Sequence, residues 1–289
     1  HFLDELNINI KISQNLFFTV AFGNKRYKNM ALALKKSFLQ HNPKSKFKIF
    51  DENDFTPSKK FLKEKKKIYP KDYKYAKFEI MSNLTEQNTN YIFIDADSFV
   101  MSDISYYLNF IKDNHLTIEY KYDGSLGWNK ISKYNFLKSC DEAGLKNIEP
   151  YSLNGGFMMW RGKIKCFHET VRTIRNYDIL DGKGTTGEEY YLSVAIQKSK
   201  TNINPIDYNK NNFIKLWNYK FYVKNFKLFI NGSNDKQDIV HYGNFNYYNS
   251  DIQKLLKRFN PDIKFDLKDK VYTTLQMLKN MLRNFNFNG

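Results

Sequence analysis

Apolar residues recur at two periods along this chain, and the alternation between them predicts the elements. Leu16 to Ala21 is a β-favouring apolar run ending at Gly23, which predicts a buried first strand. Between Tyr27 and Gln40 the apolar positions Met30, Leu32, Leu34, Phe38 and Leu39 fall at helical spacing, and Asn42-Pro43 closes the segment. Phe47 to Phe50 then supplies a second strand. Strand, helix and strand in succession make a βαβ unit, hence a parallel sheet with a right-handed crossover.

Farther on, Tyr75 to Leu84 reads as helix and Tyr91 to Ile94 as a short buried strand running straight into Asp95-Ala96-Asp97. Leu153 to Trp160 predicts another buried strand, entered through Asn154-Gly155-Gly156. Glu188 to Ile196 predicts a helix, and Ile239-Val240 a strand leading to His241-Tyr242-Gly243. From Val271 to Phe285 the residues Val271, Leu275, Leu278, Leu282 and Phe285 form one apolar stripe, with Lys270, Lys279 and Arg283 as its charged companions. No internal repeat and no Pro/Gly-rich linker interrupts the chain. The expected organisation is a catalytic unit over residues 1–255 and a helical appendage over 256–289, whose stripe serves either to pack on that unit, the commoner fate of such a helix, or to dock on a membrane surface.

Composition narrows the class. With 46 basic against 30 acidic side chains in 289 residues the net charge is +16, which favours phosphates, anionic membranes or acidic ligands. Aromatic residues make up 17% of the chain, enough core material to exclude disorder. Cys140 and Cys166 cannot build a disulfide framework or a four-cysteine zinc site, so a reducing compartment is expected. No apolar stretch approaches the ~20 residues a membrane span needs. The expected location is cytoplasmic, with peripheral attachment at the inner face of the membrane as an extension of that reading. The Lys-rich run over 57–77 reads equally as a solvated face or as a phosphate-attracting rim.

The most informative chemistry lies where a buried strand ends in two carboxylates spaced i, i+2. In parallel α/β folds that junction is the sheet edge at which ligands bind, and both carboxylates can reach one ion there. Oxygen-rich sites of this kind suit Mg²⁺ or Mn²⁺ bridging the protein to diphosphate oxygens. The competing reading is a turn with a capping aspartate. Asn154-Gly155-Gly156 likewise admits a tight turn, His241 a core histidine satisfied by a carbonyl, and Glu188-Glu189 a helix start favoured by the dipole.

Taken in order from residue 16 to 250, these segments resemble the nucleotide-sugar glycosyltransferases of the GT-A fold, and are most similar to glycosyltransferase family 8. The resemblance implies an α/β, Rossmann-like architecture with a mixed, mostly parallel sheet flanked by helices, here followed by a C-terminal amphipathic helix. It implies that Ala21, Phe22, Gly23 and Tyr27 border the nucleotide. Tyr75-Ala76-Lys77 is similar to a Tyr-Ala-Arg segment whose basic residue reaches the donor; Lys77 keeps the charge without the bidentate fork. Asp95, Ala96 and Asp97 resemble the metal-binding Asp-x-Asp. Asn154, Gly155 and Gly156 look like the segment beside the transferred sugar. Glu188 and Glu189 stand where the family has Asp-Gln, and Leu216-Trp217-Asn218-Tyr219 is similar to a Trp-Asn segment. His241-Tyr242-Gly243-Asn244-Phe245-Asn246 resembles His-x-Gly-x-x-Lys, which makes His241 the third metal ligand and Gly243 part of the donor pocket. Asn246 replaces the phosphate-binding lysine, so another lysine serves or the metal carries more of the diphosphate.

The function this implies is metal-dependent transfer of a sugar from a nucleotide-sugar, a UDP-sugar first, to a glycan, lipid-linked or protein acceptor, with Mn²⁺ or Mg²⁺ as cofactor. Retention of configuration follows from the resemblance, while a carboxylate at Glu189 leaves nucleophile, electrostatic stabiliser and general base open. Nucleotidyl transfer to a sugar phosphate is the nearest alternative. A haloacid-dehalogenase-type phosphatase fits less well, because Phe99 stands where such enzymes carry Thr or Val. A nucleic-acid-binding module is disfavoured, since the aromatics lie in apolar runs rather than in stacking-platform patterns. The partners expected are therefore the donor, the acceptor and an anionic membrane surface, with no nucleic acid; the neighbourhoods of Trp128 and Tyr151 are places to look for the acceptor.

Overall fold

The protein is described from a computed structural model covering residues 14–23, 25–54, 75–121, 130–176, 187–207, 212–216, 219–225, 227–231, 237–243, 246–265 and 270. The basic run up to residue 74, Trp128, Trp217-Asn218, Asn244-Phe245 and the amphipathic stretch 271–285 lie outside the described residues. So does any packing of that C-terminal stretch.

A six-stranded sheet forms the centre, in the order β2-β1-β3-β6-β5-β7. Its strands are β1 (Gln14–Val20), β2 (Lys46–Phe50), β3 (Thr89–Ile94), β5 (His115–Lys121), β6 (Ser152–Arg161) and β7 (Asn202–Pro205). β1 pairs in parallel with β2 and β3, and β5 with β7, whereas β6 runs against both its neighbours. Side-chain alternation explains why three of these strands read as continuous apolar runs: both faces are covered. Phe18, Tyr91, Phe93, Met158 and Trp160 point to one face. Phe17, Ile92, Ile94, Phe157 and Met159 point to the other.

The first face is roofed by α2 (Ala76–Asn83), α3 (Lys130–Glu142), α4 (Lys165–Asn176) and α5 (Gly187–Ser199), through residues such as Phe78, Phe136, Phe167 and Leu192. Trp160 is its hub, with ring centroids 5.4 Å from Tyr91, 5.9 Å from Phe18 and 4.7 Å from Phe167. The second face meets Leu34 and Phe38 of α1 (Lys25–His41), Tyr107 of the 3-10 turn Ser105–Phe110, and a small sheet. That sheet has the order β4-β11-β8, made of β4 (Ser98–Val100), β11 (Ile239–His241) and β8 (Phe213–Lys215).

A third apolar cluster joins Met30, Ala31 and Ala33 of α1 to a hairpin, β9 (Phe221–Lys224) with β10 (Lys227–Ile230), and to α6 (Ser250–Phe259). Asn249 caps α6, its side-chain oxygen accepting from the N–H groups of Asp251 at 2.9 Å and Ile252 at 3.3 Å. The expected edge at residue 255 falls inside this helix. Leu255, Leu256 and Phe259 are buried, and Phe265 packs against the same cluster, so the packed body runs on past 255.

One expectation about the elements changes. Asn154-Gly155-Gly156 is neither a strand entrance nor a tight turn; it lies within β6, which begins at Ser152. The β5–β6 register jumps there, pairing Ile118 with Met158 but Glu119 with Asn154, so residues 155–157 form a bulge facing β5. Bulges of this kind re-aim side chains beside functional sites. The hairpin β9–β10 and the strand β5 have no counterpart in the sequence-predicted elements.

Candidate functional site

The chain leaves the main sheet at Ile94 and joins the small sheet at Ser98, so Asp95-Ala96-Asp97 spans the crossing between them. On the small sheet β11 pairs antiparallel with β4, setting His241 opposite Ser98. The Tyr242 N–H donates to the Asp97 carbonyl at 3.0 Å. This ladder brings residues 144 apart in sequence together, with His241 Nε2 3.0 Å from Asp97 Oδ1. One ligand atom each from Asp95, Asp97 and His241 lies within 4.8 Å of the others.

β6 closes the same edge. The Asp95 N–H donates to the Gly156 carbonyl at 2.8 Å, and the Gly156 N–H to Asn154 Oδ1 at 2.9 Å. Gly156 packs directly on the His241 ring, where a Cβ would come within 2.9 Å of Cε1. Lys77, on the first turn of α2, has its side chain 7% exposed, donates to Glu188 Oε1 at 2.7 Å, and stands 3.7 Å from Asp95 Oδ1. Glu188 and Glu189 open α5; a Glu189 carboxylate oxygen accepts the Gly155 N–H at 3.3 Å. A Cβ on Gly155 would meet Lys77 Nζ at 3.7 Å, an ordinary contact, which places β6 directly beside the ammonium.

The electrostatics of this candidate cation site follow from burial and the close packing of its charges. Burial pushes the Asp95 carboxyl up to about 6, against the pull of Lys77, and neighbouring Asp97 adds to the rise. Burial also opposes charge on Asp97, yet His241 outweighs it and holds that carboxyl below the usual range. For His241 the sign reverses: burial disfavours the imidazolium, and Asp97 overcomes it and raises the pKa. Burial likewise works against the Lys77 ammonium, but Asp95, Glu188 and Glu189 hold it well above the usual lysine value. Two partly exposed carboxylates and a buried imidazole form an oxygen-rich donor set that could hold Mn²⁺ or Mg²⁺. A bound divalent ion would favour the ionised Asp95 that burial, and after it neighbouring Asp97, disfavours.

The remaining sequence-predicted residues surround this edge. Ala21 and Tyr27 share an apolar cluster with Ala96 and Tyr242, while Phe22 points into the opposite, helix-covered face and offers only its backbone here. Gly23, at φ 79°, donates its N–H to Glu52 Oε1 at 2.5 Å, and Lys28 Nζ holds the same glutamate at 2.8 Å. Gly243, at φ 72°, turns the chain after Tyr242. Asn246, standing where the resembled motif has lysine, donates its amide to the Tyr242 carbonyl at 2.6 Å. Tyr151 stacks edge-on to Tyr120, centroids 5.2 Å apart.

One pair has no signal in the sequence motifs. Lys215 is the register partner of His241 across β8 and β11, and its ammonium lies 2.5 Å from Glu119 Oε2. Glu119, at the bulge opposite Asn154, is buried, and the Lys215 charge is felt at His241. Neither β5 nor the step of Lys215 with His241 is visible in the sequence pattern; both follow from the sheet registers.

No protein-family model matches the chain, and no curated protein matches it. Solved structures do. An active-site mutant of LgtC, in which a glutamine is replaced by glutamate, superposes with a TM-score of 0.54 at 11% identity, covering 90% of this chain and all of LgtC. The chain has the GT-A glycosyltransferase fold. LgtC solved as a galactosyltransferase with donor and acceptor sugar analogues gives 0.46 at 11% identity, over 90% of this chain and all of that one. The apo glycosyltransferase GlyE of Streptococcus pneumoniae gives 0.49 at 13% identity, over 92% of this chain; the chain spans 64% of GlyE's length.

Proposed function

We propose that this protein is a divalent-metal-dependent glycosyltransferase that takes a sugar from a nucleotide-sugar, a UDP-sugar as first candidate, and transfers it with retention to a glycan, lipid-linked or protein acceptor. The observation that carries the reading is the convergence of Asp95, Asp97 and His241 at the sheet edge, beside the buried Lys77 and its partly exposed partner Glu188. That edge is where α/β sheets present ligands, and LgtC, whose fold the chain shares, is a galactosyltransferase.

Asp95, Asp97 and His241 are the residues to hold the ion, which when bound supplies charge neutralisation for a departing nucleoside diphosphate. Lys77 keeps a fixed positive charge on the same side and never has to release its proton. Glu188, held by Lys77, is oriented to accept hydroxyls of the transferred sugar. Glu189 points a carboxylate toward the Gly155 backbone, placing negative charge where an oxocarbenium-like sugar would develop positive charge. This chain carries glutamate at 189, where the resembled family has glutamine; an active-site mutant of LgtC likewise replaces a glutamine by glutamate. Lys215, clamped by Glu119, is the second cation near the ion site and takes the diphosphate role that Asn246 cannot.

A donor-hydrolysis screen across UDP-, GDP- and CMP-sugars with Mn²⁺ tests the reading. One sugar class should be turned over, and Asp97→Asn should abolish that turnover while leaving the fold intact. Near-normal turnover in the variant, or turnover only of sugar phosphates with nucleoside triphosphates, would sink it; the anomeric configuration of the product decides retention.

A further inference from the structure

The hairpin β9–β10 turns a polar-charged and aromatic face outward. Tyr222 and Phe229 are register partners on that face, with rings stacked at 5.1 Å and 11° between planes, and they remain 48% and 40% exposed. Next along the same face Lys224 and Lys227 are register partners too, both exposed. Two like charges directly opposite each other on a ladder are destabilising, and the sequence carries no acidic residue between Asp207 and Asp235. Lys220, at the foot of β9, is exposed as well. The inner face, Val223, Leu228 and Ile230, is buried in the cluster that includes Ala96 and Tyr242, neighbours of the Asp-x-Asp and of His241.

We propose that this outer face docks the protein on an anionic lipid bilayer. Paired aromatic rings favour the headgroup level of a membrane, and closely set lysines gain attraction from an anionic leaflet that a neutral glycan would not supply. The basic amphipathic stretch 271–285 follows in sequence from α6, the helix that packs on β9, which places a second basic, apolar segment downstream of the same body. Docking by this hairpin fixes the candidate site close to the lipid surface, because hairpin and site share one apolar cluster. The proposal does not rest on the glycosyl-transfer reading, and its failure leaves that reading untouched.

Vesicle co-sedimentation of the full chain tests it, using phosphatidylglycerol/phosphatidylcholine vesicles against phosphatidylcholine alone. The wild type should partition onto the anionic vesicles only, and the binding should fall with added salt. Lys224→Glu with Lys227→Glu should lower partition by about tenfold or more, and Tyr222→Ser with Phe229→Ser by several-fold. Lys36→Glu with Lys44→Glu, an equal change in net charge elsewhere, should change it by less than about twofold. Unchanged melting temperature and Mn²⁺ binding in the hairpin variants show that only the surface has changed. Partition indifferent to lipid charge, hairpin variants that bind like the wild type or like the charge control, or an aromatic variant that loses soluble oligosaccharide while keeping vesicles would each overturn it.

Discussion

Gly156 lies against the imidazole of His241 so closely that a Cβ on it would stand 2.9 Å from Cε1 and 3.0 Å from Nδ1. The glycine therefore sets where the ring sits relative to Asp97. Gly156→Ala forces the ring to move, and a residue that orients a metal ligand typically governs affinity by about 10- to 100-fold. The expected result is a loss of Mn²⁺ affinity in that range by calorimetric titration, with the far-UV spectrum unchanged. Wild-type affinity in the alanine variant would show that the ring is free to adjust.

Lys77 is the counter-charge for three carboxylates and is nearly fully buried. Lys77→Met leaves Glu188 beside Asp95 with nothing between them, and breaking a buried pair of this kind costs about 3–5 kcal/mol. Lys77→Arg keeps the charge in a bulkier fork. The methionine variant should melt lower and lose about a hundredfold or more in kcat/KM, whereas arginine should recover the stability and part of the turnover. Equal melting curves for wild type and Lys77→Met would contradict the ion-pair account.

The parts of this architecture legible in the sequence are those whose signal is local. β1, β3 and β6 read as apolar runs because both sheet faces are covered, and α1 showed its period because one stripe meets the sheet. Asp95-Ala96-Asp97 was readable because a buried strand ends at Ile94. The bulge at Asn154-Gly155-Gly156 was not, since its register depends on Glu119 in a strand elsewhere in the chain. The Lys215–Glu119 pair is likewise a product of two separate sheets meeting. In β9–β10 the alternation was hidden because aromatic residues occupy the outer face as well as the inner.

Proton competition gives the candidate metal site a pH dependence of definite sign. Without metal, Asp95 is raised to about 6 from an ordinary 3.8, so between those values the folded protein binds more protons at this carboxyl than the unfolded chain does. Its contribution to metal-free stability therefore falls as pH rises through about 6. A divalent ion needs Asp95 ionised and His241 neutral, and His241 is itself raised. Apparent Mn²⁺ affinity should then drop below pH 6 by about ten- to a hundredfold per unit, for one to two protons displaced. Melting curves with and without Mn²⁺ from pH 5 to 8 check both signs, the metal-induced rise in Tm growing with pH; a rise independent of pH would remove these ligands from the site.

The Lys215–Glu119 pair separates stability from donor binding. Glu119 is buried, so Lys215→Met strands a carboxylate and should destabilise the protein by about 3–5 kcal/mol. Adding Glu119→Gln removes the stranded charge and should return most of that loss, because an uncharged pair no longer needs a counter-ion. Donor recognition should not return with it. If Lys215 provides the second positive charge for the diphosphate, both the single and the double variant should show KM for the donor raised by about tenfold, with nucleoside diphosphate binding weakened to match. Recovery of donor KM along with Tm in the double variant would make the pair purely structural and return the diphosphate to Lys77 and the metal alone.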